Sequence, residues 1–207
     1  MSRCEKKQQK NAVEEAHVLR LLAGHPFCVQ LRETYRSETA LFMLLEFVQG
    51  GELFGLLDRR DHGYVEFEEA RFYAACIACV FQHMHRNHVI YRDLKTENIL
   101  IDRNGYVKLV DFGLAKELLG ENQHRAYTLC GTVEYLAPEV VLGKGYEYGC
   151  DWWTLGILIY ELLCSYTPFC GATGGGGGEA RSEGEILHAI CEDPLDFPDD
   201  VLHDPRT

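Results

Sequence analysis

The sequence predicts an α+β chain in which a helix and strands come first and mostly helices follow. Three observations point there. Apolar residues recur at helical spacing in two long stretches, and two short apolar runs flank an Asn-Gly pair as the arms of a β-hairpin would. The 207 residues, 46% hydrophobic and 25% charged, also suffice for one buried core. The longest strongly apolar run, Leu155 to Cys164, contains Glu161 and is shorter than the about 20 residues a membrane span needs. The opening MSRCEKKQQKN lacks an apolar signal core, and nine cysteines are scattered rather than framework-spaced. The expectation is a soluble cytoplasmic protein with reduced thiols and no membrane span. A net charge of −12 argues against a nucleic-acid partner, which would face a basic surface.

From Asn11 to Leu22, Val13, Val18, Leu19, Leu21 and Leu22 fit one helical face, and Gly24 and Pro26 end it. Phe27 to Tyr35 is strand-like. Ala40 to Val48 is almost wholly apolar, as a strand buried on both faces would be. Gly50-Gly51 then breaks the chain, and Glu52 to Arg60 reads as a short helix. Glu66 to Asn87 is the longest helical pattern, with Phe72, Cys76, Val80 and Met84 recurring every fourth residue. Glu66, Glu68 and Glu69 favour its N-terminus through the helix dipole. Asn104-Gly105 between Ile99–Ile101 and Tyr106–Val110 predicts a hairpin with a type I′ turn. A long loop runs from Gly113 to Gly149. Asp151 to Leu163 is a helix apolar nearly all round and therefore buried, and Glu183 to Cys191 is one more helix. Five glycines at 174–178 mark a flexible insertion at about 172–184. From Glu179 onward nine acids face two arginines, which reads as a solvated tail or an acidic docking segment.

The chemistry brackets the hairpin. Asp93, in YRDLKTEN (91–98), precedes its first arm, and Asp111, in DFG (111–113), follows its second. An antiparallel hairpin returns the chain to its start, so the two carboxylates end side by side. With Lys95 and Asn98 they form a phosphoryl-transfer set. One acid accepts a hydroxyl proton, a lysine neutralises the moving phosphoryl group, and oxygen ligands await Mg²⁺.

With these motifs the chain resembles the protein kinases. YRDLKTEN stands for the catalytic loop, with Tyr91 where histidine is usual, DFG is intact, and TLCGTVEYLAPE (128–139) resembles the activation segment. DWWTLGILIYELL, opened by Asp151, resembles the buried helix that anchors the catalytic loop. The wording is similar to the serine/threonine kinases of the AGC group, and most to the cyclic-nucleotide-dependent ones, cAMP- and cGMP-dependent alike.

The resemblance implies a bilobal fold with a partial N-lobe at 1–45, a hinge at 46–50 and a helical C-lobe at 51–207. It implies ATP and Mg²⁺ as cofactors, with Asp93 as catalytic base, Lys95 as phosphate-neutralising lysine, Asn98 and Asp111 as metal ligands, and Thr132 supporting the base. Leu45 would be the gatekeeper, with Glu46, Phe47 and Val48 as the hinge that reads adenine. Glu15, or its neighbour Glu14, would be the helix glutamate that pairs with an ATP-binding lysine. Thr128 would be an activation-loop phosphorylation site served by Arg92 and Lys116. Glu52, Glu97 and Glu161 would receive an arginine upstream of the substrate hydroxyl. Protein substrates with basic motifs, and a regulatory subunit or cyclic-nucleotide-binding region, are the implied partners.

The family's Gly-x-Gly-x-x-Gly loop and Val-Ala-x-Lys strand are not found in the sequence, and Asp204–Thr207 resembles only the start of a late family motif. The chain is thus expected to be truncated at both ends relative to the family's catalytic domain. The alternative function is a catalytically weak or inactive kinase-fold binding module.

Overall fold

The first helix, α1 (Arg3–Leu21), begins earlier than the apolar pattern at Asn11, because the polar residues before it continue the same turns. Val18, Leu19 and Leu22 are buried, whereas Val13 is 58% exposed and does not share their face. The computed structural model describes residues 3–37, 40–118, 125–171, 180–198 and 201, with side chains from Lys10 onward. Residues 172–179 of the expected glycine-rich insertion and the last acids of the tail lie outside the described residues.

β1 (Leu31–Arg36) and β2 (Leu41–Leu45) form an antiparallel pair packed on α1. Here the structure corrects the expectation of a strand buried on both faces. Phe42 and Leu44 are about half exposed, because among the described residues no layer covers the side of β2 turned away from α1. α2 (Leu53–Asp58) is short, and α3 (Phe67–Arg86) buries Cys76, Val80 and Met84 along the expected stripe against α5 (Gly149–Cys164). Phe72, at the start of that stripe, is partly open.

β4 (Ile99–Ile101) and β5 (Val107–Leu109) are the expected hairpin, Ile99 opposite Leu109. Its turn is not type I′. That turn needs positive φ at both central residues, and Asn104 is not among the described positive-φ residues. Instead the Asp102 carboxylate accepts the Asn104 and Tyr106 N–H groups, the Gly105 N–H reaches the Asp102 carbonyl at 3.1 Å, and Gly105 alone takes φ +86°. The aspartate before the Asn-Gly pair thus lengthens the loop to three residues.

β3 (Val89–Ile90) pairs with β6 (Lys116–Glu117), closing the long loop onto the end of α3. α4 (Pro138–Val141) and α6 (Glu183–Glu192) complete the chain, α6 starting in a capping box in which Ser182 and Glu185 bond reciprocally. Two backbone seams place the hairpin at the centre. Phe27 to Val29 bonds both sides of Leu109, and Gly50-Gly51 bonds both sides of Ile101. A Cβ on Gly50 would lie 2.3 Å from the Ile101 carbonyl oxygen, so the second seam closes only over glycine.

Candidate active site

The loop before the hairpin is held from sixty residues away. Asp151, fully buried at the start of α5, accepts the backbone N–H groups of Tyr91 (3.0 Å) and Arg92 (3.0 Å), and His85 Nε2 lies 2.8 Å from its other side. Hydrogen bonds to a buried carboxylate are strong enough to hold Arg92 at φ +71°, a left-handed conformation costly for a non-glycine residue. Tyr91, also fully buried, donates its hydroxyl to the Val110 carbonyl at 2.5 Å, and its ring meets Phe112 edge-on. The segment before the hairpin is thereby tied to the segment after it.

Three side chains meet at Asp93. Asn98 Nδ2 donates to Asp93 Oδ2 (3.0 Å) and to its carbonyl (2.9 Å), the Thr132 hydroxyl donates to Oδ1 (3.3 Å), and Lys95 Nζ lies 3.7 Å from Oδ2. Burial pushes the Asp93 carboxyl above its ordinary range; Lys95, Asn98 and Thr132 oppose that rise and Asp111 adds to it. Asp111 sits at φ +53° with its Oδ1 accepting the Gly113 N–H at 3.1 Å. Glu15 reaches the same place from α1: burial and the nearby Asp111 raise its carboxyl, and the Phe112 N–H lowers it. Glu14 instead faces out, 3.5 Å from Lys10. Helical spacing separates the two, since Glu15 lies three, four and seven residues before Val18, Leu19 and Leu22, the buried stripe.

Leu45 ends β2 and packs against the core. Beyond it the Glu46 N–H is used by the Gln30 carbonyl, while among the described residues neither the Glu46 carbonyl nor the Val48 N–H is hydrogen-bonded. The Glu46 side chain is held under the hairpin by Lys108 Nζ at 2.6 Å and by the Gln30 N–H at 3.0 Å. Phe47 is almost wholly exposed.

Of the three expected substrate acids, the structure brings two together. Glu161 on α5 accepts the Tyr135 hydroxyl, and its carboxyl is pushed up to about 7 by burial, with Glu97 and Glu134 raising it further and Tyr135 opposing. Glu52 is exposed just before α2, and its backbone bridges to Leu100. Glu134, which the sequence reading did not single out, lies near Glu161 as well. It lies one residue before Tyr135, and Thr167 donates to it at 2.8 Å.

Thr128 is exposed on the rim of a cleft of about 790 Å³ lined also by Arg92, Lys116, Lys10 and His17. Arg92 is already engaged, with Nε donating to the Leu114 carbonyl (2.7 Å) and a terminal nitrogen to the Tyr146 hydroxyl (3.1 Å). Tyr146 was not legible as a site residue, since nothing in the sequence sets it apart from other loop tyrosines.

Oxygen donors from Asn98 and Asp111 suit a hard cation such as Mg²⁺. Among the described residues no group of three or more His, Cys, Asp or Glu could hold a metal ion, so the pair fits a cation that takes its remaining ligands from phosphate and water. None of the described helices is long and apolar enough to cross a membrane.

Residues 1–201 match the protein kinase domain family. The human cAMP-dependent protein kinase catalytic subunit PRKX is 47% identical over 163 residues, which cover 79% of this chain and 44% of that protein. A cAMP-dependent protein kinase catalytic subunit of Arthrobotrys oligospora is 47% identical over 197 residues, 95% of this chain and 36% of that one. Human cGMP-dependent protein kinase 2 is 42% identical over 200 residues, 97% and 25% respectively. The chain therefore spans less than half the length of each of these relatives.

Proposed function

The chain belongs to the protein kinase domain family, and from that premise we propose that it is the catalytic part of an AGC-type serine/threonine kinase that phosphorylates protein hydroxyls near basic residues. One observation carries this reading: the Asp93 carboxylate is held by Asn98, Thr132 and Lys95 next to Asp111, at the mouth of one hairpin.

Asp93 accepts the proton of the attacking serine or threonine hydroxyl. Its raised affinity for protons suits that task, and the hydrogen bonds from Asn98 and Thr132 fix the direction of its oxygens. Lys95 offsets negative charge on the phosphoryl group as it moves. Asn98 and Asp111 would hold Mg²⁺, which when bound supplies positive charge to the phosphate oxygens of ATP. Residues 46–50 form the hinge between a partial N-lobe (1–45) and a C-lobe (51–207). The unbonded Glu46 carbonyl and Val48 N–H are the backbone pair that would read adenine, beside Leu45. Glu15 orients the segment around Asp111 from α1.

Glu97, Glu134 and Glu161 form the surface for an upstream arginine, and Glu52 contributes from the hinge side. Phosphorylation of Thr128 would place its charge in the cleft of Arg92 and Lys116. A regulatory subunit or cyclic-nucleotide-binding region and an intracellular site of action accompany this reading.

The test is phosphoryl transfer from Mg-ATP by the full-length protein to a peptide with arginines upstream of a serine, alongside the same peptide with those arginines changed to glutamine. Transfer that falls at least tenfold without the arginines is expected. No transfer to either peptide, with Mg-ATP giving no thermal shift, would overturn the kinase reading.

A further inference from the structure

Tyr146 joins two segments that the proposed mechanism requires to stay in register. Its ring is buried, and its backbone pairs with Ala126 through two hydrogen bonds of 2.8 and 2.9 Å. Its hydroxyl donates to the Thr128 carbonyl at 2.6 Å and accepts from Arg92 at 3.1 Å, with Cys130 Sγ 3.9 Å away. The same guanidinium donates to the Leu114 carbonyl, just past the DFG triplet. One arginine therefore holds the start of the 113–149 loop directly and its middle through Tyr146. Packing supports the same placement. The Tyr127 ring lies over Gly145 so closely that an added Cβ would be 2.6 Å from it. Both hydroxyl contacts are to groups that exist whether or not Thr128 carries a phosphate.

We propose that the Tyr146 hydroxyl is a positioning group that latches the activation segment to the catalytic loop before Thr128 is phosphorylated. This rests on the roles given above to Arg92 and Thr128. Without the hydroxyl, the Arg92 guanidinium has no hydrogen bond to the middle of the segment until a phosphate on Thr128 supplies one. In the native chain phosphorylation exchanges partners on Arg92 and adds little order.

Chymotrypsin reads this directly, because Tyr127 and Leu129 are exposed. Nicking of the full-length protein is timed after each residue, with hydrogen exchange in α3 reporting whether the fold is intact. Tyr146→Phe is expected to speed nicking about tenfold or more, the size of one lost hydrogen bond to a charged group, with α3 unchanged. Thr128→Ala is expected to nick at the native rate, since the acceptor is the backbone carbonyl. Phosphothreonine at 128 is expected to slow nicking of Tyr146→Phe back toward the native rate. Arg92→Lys, which cannot serve both Leu114 and Tyr146, is expected to nick fast and to add nothing to Tyr146→Phe. Should Tyr146→Phe not fold, Arg92→Lys set against Thr128→Ala gives the same decision.

Native-rate nicking in Tyr146→Phe or Arg92→Lys, additive effects of the two, equally fast nicking in Thr128→Ala, or no rescue by phosphothreonine each overturns the proposal. Nicking needs neither nucleotide nor phosphoryl transfer, so its outcome is separate from that of the peptide assay.

Discussion

Replacing Glu161 by glutamine removes a charge that the fold holds at a cost. The carboxyl, ordinarily near 4.5, is raised to about 7 by burial, and Glu97 and Glu134 push the same way. Between those two values the folded protein binds a proton that the unfolded chain does not. Stability therefore falls as pH rises through that window. At about 1.4 kcal/mol for each pH unit, the group's full cost above pH 7 is about 3 kcal/mol. Urea unfolding of the native protein and of Glu161→Gln, at steps from pH 4.5 to 8, isolates this group with its coupling to Glu97 and Glu134, because the titrations distant from it are common to both. The native protein is expected to lose about 3 kcal/mol relative to the variant across the range. Glutamine keeps the shape and can still accept the Tyr135 hydroxyl, so the difference belongs to the charge. Tyr135→Phe removes a hydrogen bond that lowers this carboxyl, and should move the window to higher pH. Parallel profiles for native protein and Glu161→Gln would refute the reasoning.

The same proton links to substrate, since an arginine beside Glu161 favours its ionised form. Affinity for a peptide with upstream arginine should accordingly rise from pH 6 to 7.5 more steeply than for its glutamine counterpart.

Three further outcomes follow from the geometry. Asp93→Asn should lower phosphoryl transfer by about 10² to 10⁴ while leaving nucleotide-induced thermal shift intact, since only proton acceptance is lost; the native rate should also fall on acidification, as the raised Asp93 carboxyl takes up its proton. Asp151→Ala should cost about 3–5 kcal/mol in urea unfolding, because two buried backbone N–H groups and His85 lose their acceptor together. Gly50→Ala should destabilise by about 1–3 kcal/mol and weaken Mg-ATP affinity, as the added Cβ collides with the Ile101 carbonyl and forces the hinge off the hairpin.

What could be read without coordinates divides by range. Helices with their own stripe, such as α3, and the hairpin with its Asn-Gly pair are local decisions, and they stand within a residue or two of their expected places. Local signals failed where a neighbour decides. The run at Ala40–Val48 is apolar enough for two buried faces, yet burial of Phe42 and Leu44 depends on what lies over β2. The turn type changed because Asp102, outside the Asn-Gly pair, captured two N–H groups. Glu134 was passed over because one glutamate in a loop carries no signal until α5 brings Glu161 beside it.

The site itself shows why motif and mechanism are separable. Arg92 and Asp111 both adopt positive φ, which is uncommon for any residue but glycine and more costly for arginine than for aspartate. Arg92 is held by the buried Asp151 carboxylate fifty-nine positions later, and Asp111 is followed by Gly113, whose N–H returns to its carboxylate. The triplets around Asp93 and Asp111 therefore name the candidate groups, while the conformation of the loop that carries Asp93 is set from α5. A chain carrying both triplets but lacking an acid at 151 would keep the chemical inventory and lose the geometry. For that reason Asp151, which touches no reacting atom, is the residue whose replacement best separates a kinase sequence from a kinase site.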